Sequence, residues 1–102
     1  MRVFSVYDNG IGAYAAPFVL RSDNEAIRGF VLAVCDPRSQ LLFQHPEDFT
    51  LMSIGSFDDV TADIVSWTPV KVCTGLEAKV RGASIPQSSP ASLAVDAGEG
   101  EV

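Results

Sequence analysis

Cysteine and histidine are scarce in this chain: Cys35 and Cys73 stand far apart with no C-x-x-C pair, and His45 is the single histidine. Neither a disulfide framework nor a zinc site of the usual ligand spacing can be built from them, so reduced, packing cysteines are expected. Long apolar runs are missing as well. Phe30 to Cys35 and Leu41 to Phe43 fall far short of the roughly 20 residues needed to span a bilayer. The start, Met1-Arg2-Val3-Phe4-Ser5-Val6-Tyr7-Asp8, alternates and soon meets an acid, unlike the unbroken apolar stretch and small-residue cleavage site of a signal peptide. No membrane partner is expected, and the chain is expected to stay in the cytosol. Positive charge is the last shortage: seven Lys and Arg stand against thirteen Asp and Glu, a net charge of −6. A dedicated nucleic-acid coat is usually basic, and counterion release needs clustered cations. Arg2, Arg21, Arg28, Arg38, Lys71, Lys79 and Arg81 are instead spread singly along the chain. Asp96, Glu99 and Glu101 fall in the final segment, and the body without them is still mildly acidic.

Signatures of catalysis are absent too. There is no Gly-x-Ser-x-Gly and no phosphate loop, and Gly10-Ile11-Gly12 lacks the third glycine and the helix that a dinucleotide fingerprint requires. Asp58, Asp59 and Asp63 lack the glycine and the closing Glu of a calcium loop, so a hairpin turn is the expectation there. His45, Glu47 and Asp48 form the one cluster of titratable side chains that invites a metal or acid–base reading. Residues so close in sequence cannot all converge on an ion without a special loop, and Pro46 among them points to a structural turn. A Cys–His nucleophile pair with His45 has no orienting pattern behind it. No enzyme, no cofactor and no metal are expected.

What is present is a readable alternation of elements. Arg2 to Tyr7 alternates with β-branched and aromatic residues and predicts a strand; Asp8-Asn9-Gly10-Ile11-Gly12 predicts a turn. Ala13 to Leu20 reads as a second extended segment, with Pro17 placing it at an edge. Ser22-Asp23-Asn24-Glu25 is a capping box, so a helix should start at Asp23, with Ile27, Phe30, Val31 and Val34 as its apolar stripe and Pro37 as its stop. Gly29 inside it marks either close approach of another backbone or simple tolerance. Leu41-Leu42-Phe43 is a short apolar segment, Gln44 to Asp48 a polar turn, and Phe49 to Phe57 a strand. Asp58 to Ala62 should connect it tightly to a returning strand, Asp63 to Trp67. Thr68-Pro69 is expected to break that strand, leaving Val70 to Cys73 as a last short piece. Leu76 to Val80 is weakly helical.

From Gly82 to Val102 the chain is rich in Ala, Ser, Pro and Gly without a sustained period, too little apolar area to offset its ordering entropy. Disorder is expected there, with Ser92-Leu93-Ala94-Val95 as the alternative, a short docking segment. The sequence thus predicts a small single α+β domain over residues 1–80: an antiparallel sheet of about four strands in β-β-α-β-β order, one amphipathic helix on one face, and a flexible tail over 81–102. One arrangement could carry function. Tyr7, Tyr14, Phe18 and Trp67, near Arg2, Arg21 or Lys71, would stack single-stranded bases if they shared an exposed sheet face. Core packing is the competing explanation for those aromatics.

Several stretches also carry a family resemblance. Val3-Phe4-Ser5-Val6-Tyr7-Asp8, Ala13-Tyr14-Ala15-Ala16-Pro17-Phe18, Glu25-Ala26-Ile27-Arg28-Gly29-Phe30, Ala33-Val34-Cys35-Asp36-Pro37 and His45-Pro46-Glu47-Asp48-Phe49-Thr50-Leu51, then Ile54-Gly55-Ser56-Phe57-Asp58-Asp59, stand in order over residues 2–67. Together they resemble the small non-structural protein of gokushoviruses, single-stranded DNA bacteriophages of the Microviridae. Cys35, where relatives tend to be polar, and the Ala/Ser/Pro tail depart from the pattern. The resemblance implies a DNA-binding or DNA-synthesis protein in the host bacterial cytoplasm, with no catalytic residues. Two expectations follow. Either the domain binds single-stranded DNA, with Arg2, Arg21, Arg28, Lys71, Tyr7 and Tyr14 as candidate contacts, or it is an adaptor for the phage replication initiator or a host replication protein. A homo-oligomer is compatible with both.

Overall fold

The computed structural model describes residues 1–84. The elements are strands β1 (Arg2–Asp8), β2 (Ala13–Tyr14) and β3 (Phe18–Leu20), helices α1 (Asp23–Val34) and α2 (Leu41–Gln44), strands β4 (Phe49–Phe57) and β5 (Ile64–Thr74), and helix α3 (Gly75–Ser84). Every strand pairing is antiparallel. β1 lies inside the sheet, with β4 on one side and β2 and β3 in succession along the other; β5 continues the sheet beyond β4. The small α+β fold and its sheet follow the expectation from the alternating segments. Pro17 divides the second extended segment into the two short edge strands.

Two capping boxes start the long helices. The Ser22 hydroxyl accepts the Glu25 N–H at 3.2 Å, and Glu25 Oε1 in turn accepts the N–H of Arg21 at 3.0 Å. At the second, the Thr74 hydroxyl accepts the Glu77 N–H at 3.1 Å and Glu77 Oε1 accepts the Thr74 N–H at 2.8 Å. Each pair satisfies one N–H of the first helical turn, that of the glutamate, and one just ahead of the helix, that of Arg21 or Thr74. The backbone hydrogen bond from Thr74 holds the Glu77 carboxyl below the ordinary carboxylate range. α3 is therefore a full helix through Ser84, where weak helicity over Leu76 to Val80 and disorder from Gly82 were expected. The rest of the expected tail, including Ser92 to Val95, lies outside the described residues.

The core sits between the sheet and the helices. Phe4, Leu51 and Cys73 come from three adjacent strands; Ala26, Phe30, Val31 and Val34 come from α1 and Ala78 from α3, so two helices rather than one cover this face. Side chains alternate along a strand, so burial of Phe4 turns Val3, Ser5 and Tyr7 to the opposite face. Burial also pushes the Cys73 thiol up from its usual range, as suits a cysteine that packs. Close approaches fix the helices: a side chain on Gly82 would strike the Cys35 sulfur, and one on Gly75 would strike the carbonyl of Pro46. Gly29 has open space around its Cα, so tolerance is the answer to the choice left open for it. Among the described residues no helix is long and apolar enough to cross a membrane.

One expected break does not occur. β5 runs unbroken for 11 residues through Thr68 and Pro69, because Pro69 lies in a bulge on the outermost strand, where a missing N–H costs little. The acidic turn after β4 closes as expected: Asp58 Oδ1 accepts the N–H groups of Val60 (2.9 Å) and Thr61 (3.3 Å), which hold its carboxyl below the usual range.

The two glycines make opposite predictions. Gly75→Ala should lower stability by about 1–3 kcal/mol through overpacking against rigid backbone, whereas Gly29→Ala should raise it by about 0.5–1 kcal/mol through helix propensity. Urea midpoints of the two variants against the parent chain check both signs.

Candidate nucleic-acid interface

The N-terminal half of β5 extends past the part of the sheet that α3 covers. Beside it, under the start of α1, lies an open cleft of about 690 Å³ whose lining includes Arg2, Asp23, Asn24, Trp67, Thr68 and Lys71. Two irregularities of the sheet make it. Between the pairs Gly55–Ser66 and Ser53–Val70, three residues of β5, Trp67 to Pro69, face the single β4 residue Ile54; between β1 and β4 the register slips at the same residue. Bulges re-aim side chains, and this one turns the indole of Trp67 back toward β4, where its Nε1–H donates to the Ser53 carbonyl at 3.2 Å.

Arg2 closes the other side. Its Nε lies 2.9 Å from Asp23 Oδ1, and both of these atoms are shut away from solvent although the side chains as wholes are part exposed. One Nη donates to Ser53 Oγ at 3.4 Å, and the guanidinium carbon stands 5.6 Å from the centre of the Trp67 ring. Trp67 is still 36% exposed, so the ring retains free surface in the cleft. A cation over an indole face at a partly exposed site contributes about 0.5–1 kcal/mol. An aromatic surface, two cations and the amide and hydroxyl of Asn24 and Thr68 are the groups that single-stranded nucleic acid uses: stacking for bases, charge for phosphates. Asp23 offsets the charge of Arg2, so the site is only weakly positive.

Of the expected contacts, the structure brings Arg2 and Lys71 to this cleft. Arg28 is exposed on α1 one turn after Asn24 and outside the cleft lining, and Arg21 is exposed just ahead of the Ser22 cap. Tyr7 and Tyr14 lie elsewhere. They are cross-strand partners with ring centres 4.8 Å apart, on the face turned away from the helices, so the expected single platform of aromatics and cations is split between two faces. Phe18 stacks at 5.9 Å on the core residue Phe4. The parts that sequence reasoning missed are Asp23, Asn24, Ser53 and Thr68. No spacing announces them, since the bulge brings in Thr68 while the packing of α1 on the sheet brings Asp23 and Asn24 to Arg2 and Ser53.

The opposite face has its own feature. Val3, Pro17, Val19, Ile54, Phe57 and Ile64 line an apolar groove of about 270 Å³. Nearby in sequence, the buried Ser5 hydroxyl donates to the Ala15 carbonyl at 2.7 Å and ties the chain before Pro17 to β1. The His45 turn, by contrast, gathers only His45 and Glu47, Nδ1 to Oε2 at 3.3 Å and both exposed, while the Asp48 carbonyl accepts the Asn9 N–H at 2.7 Å. Among the described residues no three His, Cys, Asp or Glu side chains gather to hold a metal ion.

Arg2→Met keeps the stem and removes the charge, leaving the shielded Asp23 oxygen without its partner. A loss of about 1 kcal/mol is expected, with a shift in the emission of Trp67, the only tryptophan in the chain; chemical denaturation followed by fluorescence reads both.

No curated protein and no solved structure matches the chain. The family model described as Phage ORF5 protein matches residues 1–78, from β1 into α3 and including every cleft residue named above. With about three-quarters of its length matched, the chain belongs to the Phage ORF5 protein family and is a bacteriophage protein.

Proposed function

We propose that this phage protein is a gokushovirus non-structural protein that works in the synthesis of single-stranded viral DNA, or in the switch from replication to packaging, by binding single-stranded DNA in the Arg2–Trp67–Lys71 cleft. The observation that carries the reading is an exposed indole with a guanidinium 5.6 Å from its centre, in a cleft whose lining also includes Lys71. A base stacks on the free surface of Trp67, Lys71 meets a neighbouring phosphate, and Arg2 orients the ring. The resemblance of residues 2–67 to the gokushovirus protein supports the setting, the host bacterial cytoplasm. The acidic body argues for weak binding: the one phosphate contact of Lys71 supplies little counterion release, enough for a regulator and too little for a coat.

A second reading draws support from the apolar groove beneath Val3 and Phe57. An uncovered apolar surface is a common mark of protein partners, and an adaptor holding the phage replication initiator or a host replication protein would use it.

Titration with a short single-stranded oligonucleotide separates the readings. Trp67 fluorescence should be quenched at low salt, log affinity should fall against log salt with a slope of roughly −0.7, as one contact gives, and Trp67→Ala, followed by the anisotropy of a labelled oligonucleotide, should weaken binding by about tenfold or more. Absence of binding at low salt sinks the DNA reading and leaves the adaptor.

A further inference from the structure

β5 forms an outer edge of the sheet, and every residue from Ile64 to Lys71 is exposed along it. At 11 residues it is about twice the usual strand length. A long edge with exposed Ile64, Val65, Trp67 and Val70 presents unpaired backbone groups beside apolar side chains, a template for another strand. Its chemistry reads alike from both ends about Trp67: Asp63 and Lys71 carry opposite charges, Ile64 and Val70 are aliphatic, and Ser66 and Thr68 are hydroxylic. We propose that this edge pairs antiparallel with the same edge of a second copy, about a two-fold axis at Trp67.

The two-fold makes the contact self-complementary. Asp63 of each copy meets Lys71 of the other, Ile64 meets Val70, Ser66 meets Thr68, and the two Trp67 residues meet at the axis. Up to the bulge at Trp67 the backbone accommodates the register. The Asp58 N–H donates to the Asp63 carbonyl at 2.9 Å, and in an antiparallel ladder hydrogen-bonded pairs alternate, so Ser56–Val65 is the next such pair. Val65 then spends its backbone groups inward, and those of Ile64 and Ser66 point out to the second copy. Pro69, which has no N–H, stands opposite Val65 of that copy, where the new ladder calls for none. Pairing sets the two Arg2–Trp67 clefts side by side across the axis, but the association does not depend on DNA.

Sedimentation of the full chain without DNA, over a wide concentration range, tests this. The parent chain should form a reversible dimer. Asp63→Lys and Lys71→Asp should each weaken it by about tenfold or more, on the scale of close interfacial charge pairs, and the double variant, which restores both pairs with signs exchanged, should recover it. Both side chains are exposed, and circular dichroism verifies that the variants fold. A chain monomeric throughout would overturn the proposal and make Pro69 and Lys71 guards against pairing. A dimer indifferent to the single variants, or one that the charge exchange does not restore, would overturn it as well.

Discussion

Phe4 on β1 and Leu51 on β4 are both wholly removed from solvent, and their burial against α1 is the contact on which the rest of the molecule is hung. β1 and β4 are the inner strands, so each side chain buried there also fixes the strands next to it. Truncating an aromatic in such a place costs about 3–5 kcal/mol, a large share of what a small domain has to lose. Phe18 stacks on Phe4 and thereby ties the β3 edge to the same centre. α3 reaches it through Ala78, with Gly75 and Gly82 allowing backbone and sulfur to come close.

The position of that core determines what is left uncovered. α1 and α3 pack over the end of the sheet where β5 turns into α3, and the Ile64 to Lys71 stretch stays in water. Two register slips meet at Ile54 in that uncovered part. They turn Trp67 toward Ser53 and under Arg2, which Asp23 at the start of α1 holds from the other side. The cleft is thus a by-product of helices covering the sheet unevenly, and its few charges are held by the elements that form the core.

The residues that could be read in advance were those whose signal is local. Ser22 and Glu25 announce α1, the alternation in Arg2 to Tyr7 and Phe49 to Phe57 announces the inner strands, and Asp58 announces the hairpin. Thr74-Gly75-Leu76-Glu77 has the same capping pattern and was legible in principle, but the exposed, weakly amphipathic helix that follows hides it. Pro69 misleads for a physical reason: it forbids an interior ladder bond, not a place in an edge bulge. The cleft was half legible. Arg2 and Lys71 stood out as cations, yet Tyr7 and Tyr14 could be separated from them only by the side on which Phe4 is buried. Asp23 and Ser53 join through tertiary contacts that leave no period in the sequence.

Under the proposed function, single-stranded DNA meets this phage protein in the helix-side cleft and not on the tyrosine face. Backbone and indole resonances followed by nuclear magnetic resonance during oligonucleotide titration test it most directly, because the Trp67 Nε1–H bonded to the Ser53 carbonyl is a single, isolated reporter. With bases bound in that cleft, this resonance moves together with the amides of Arg2, Asn24, Thr68 and Lys71 while those of Tyr7 and Tyr14 stay still. Shifts concentrated at Tyr7, Tyr14 and their neighbours, with the indole unmoved, would contradict it.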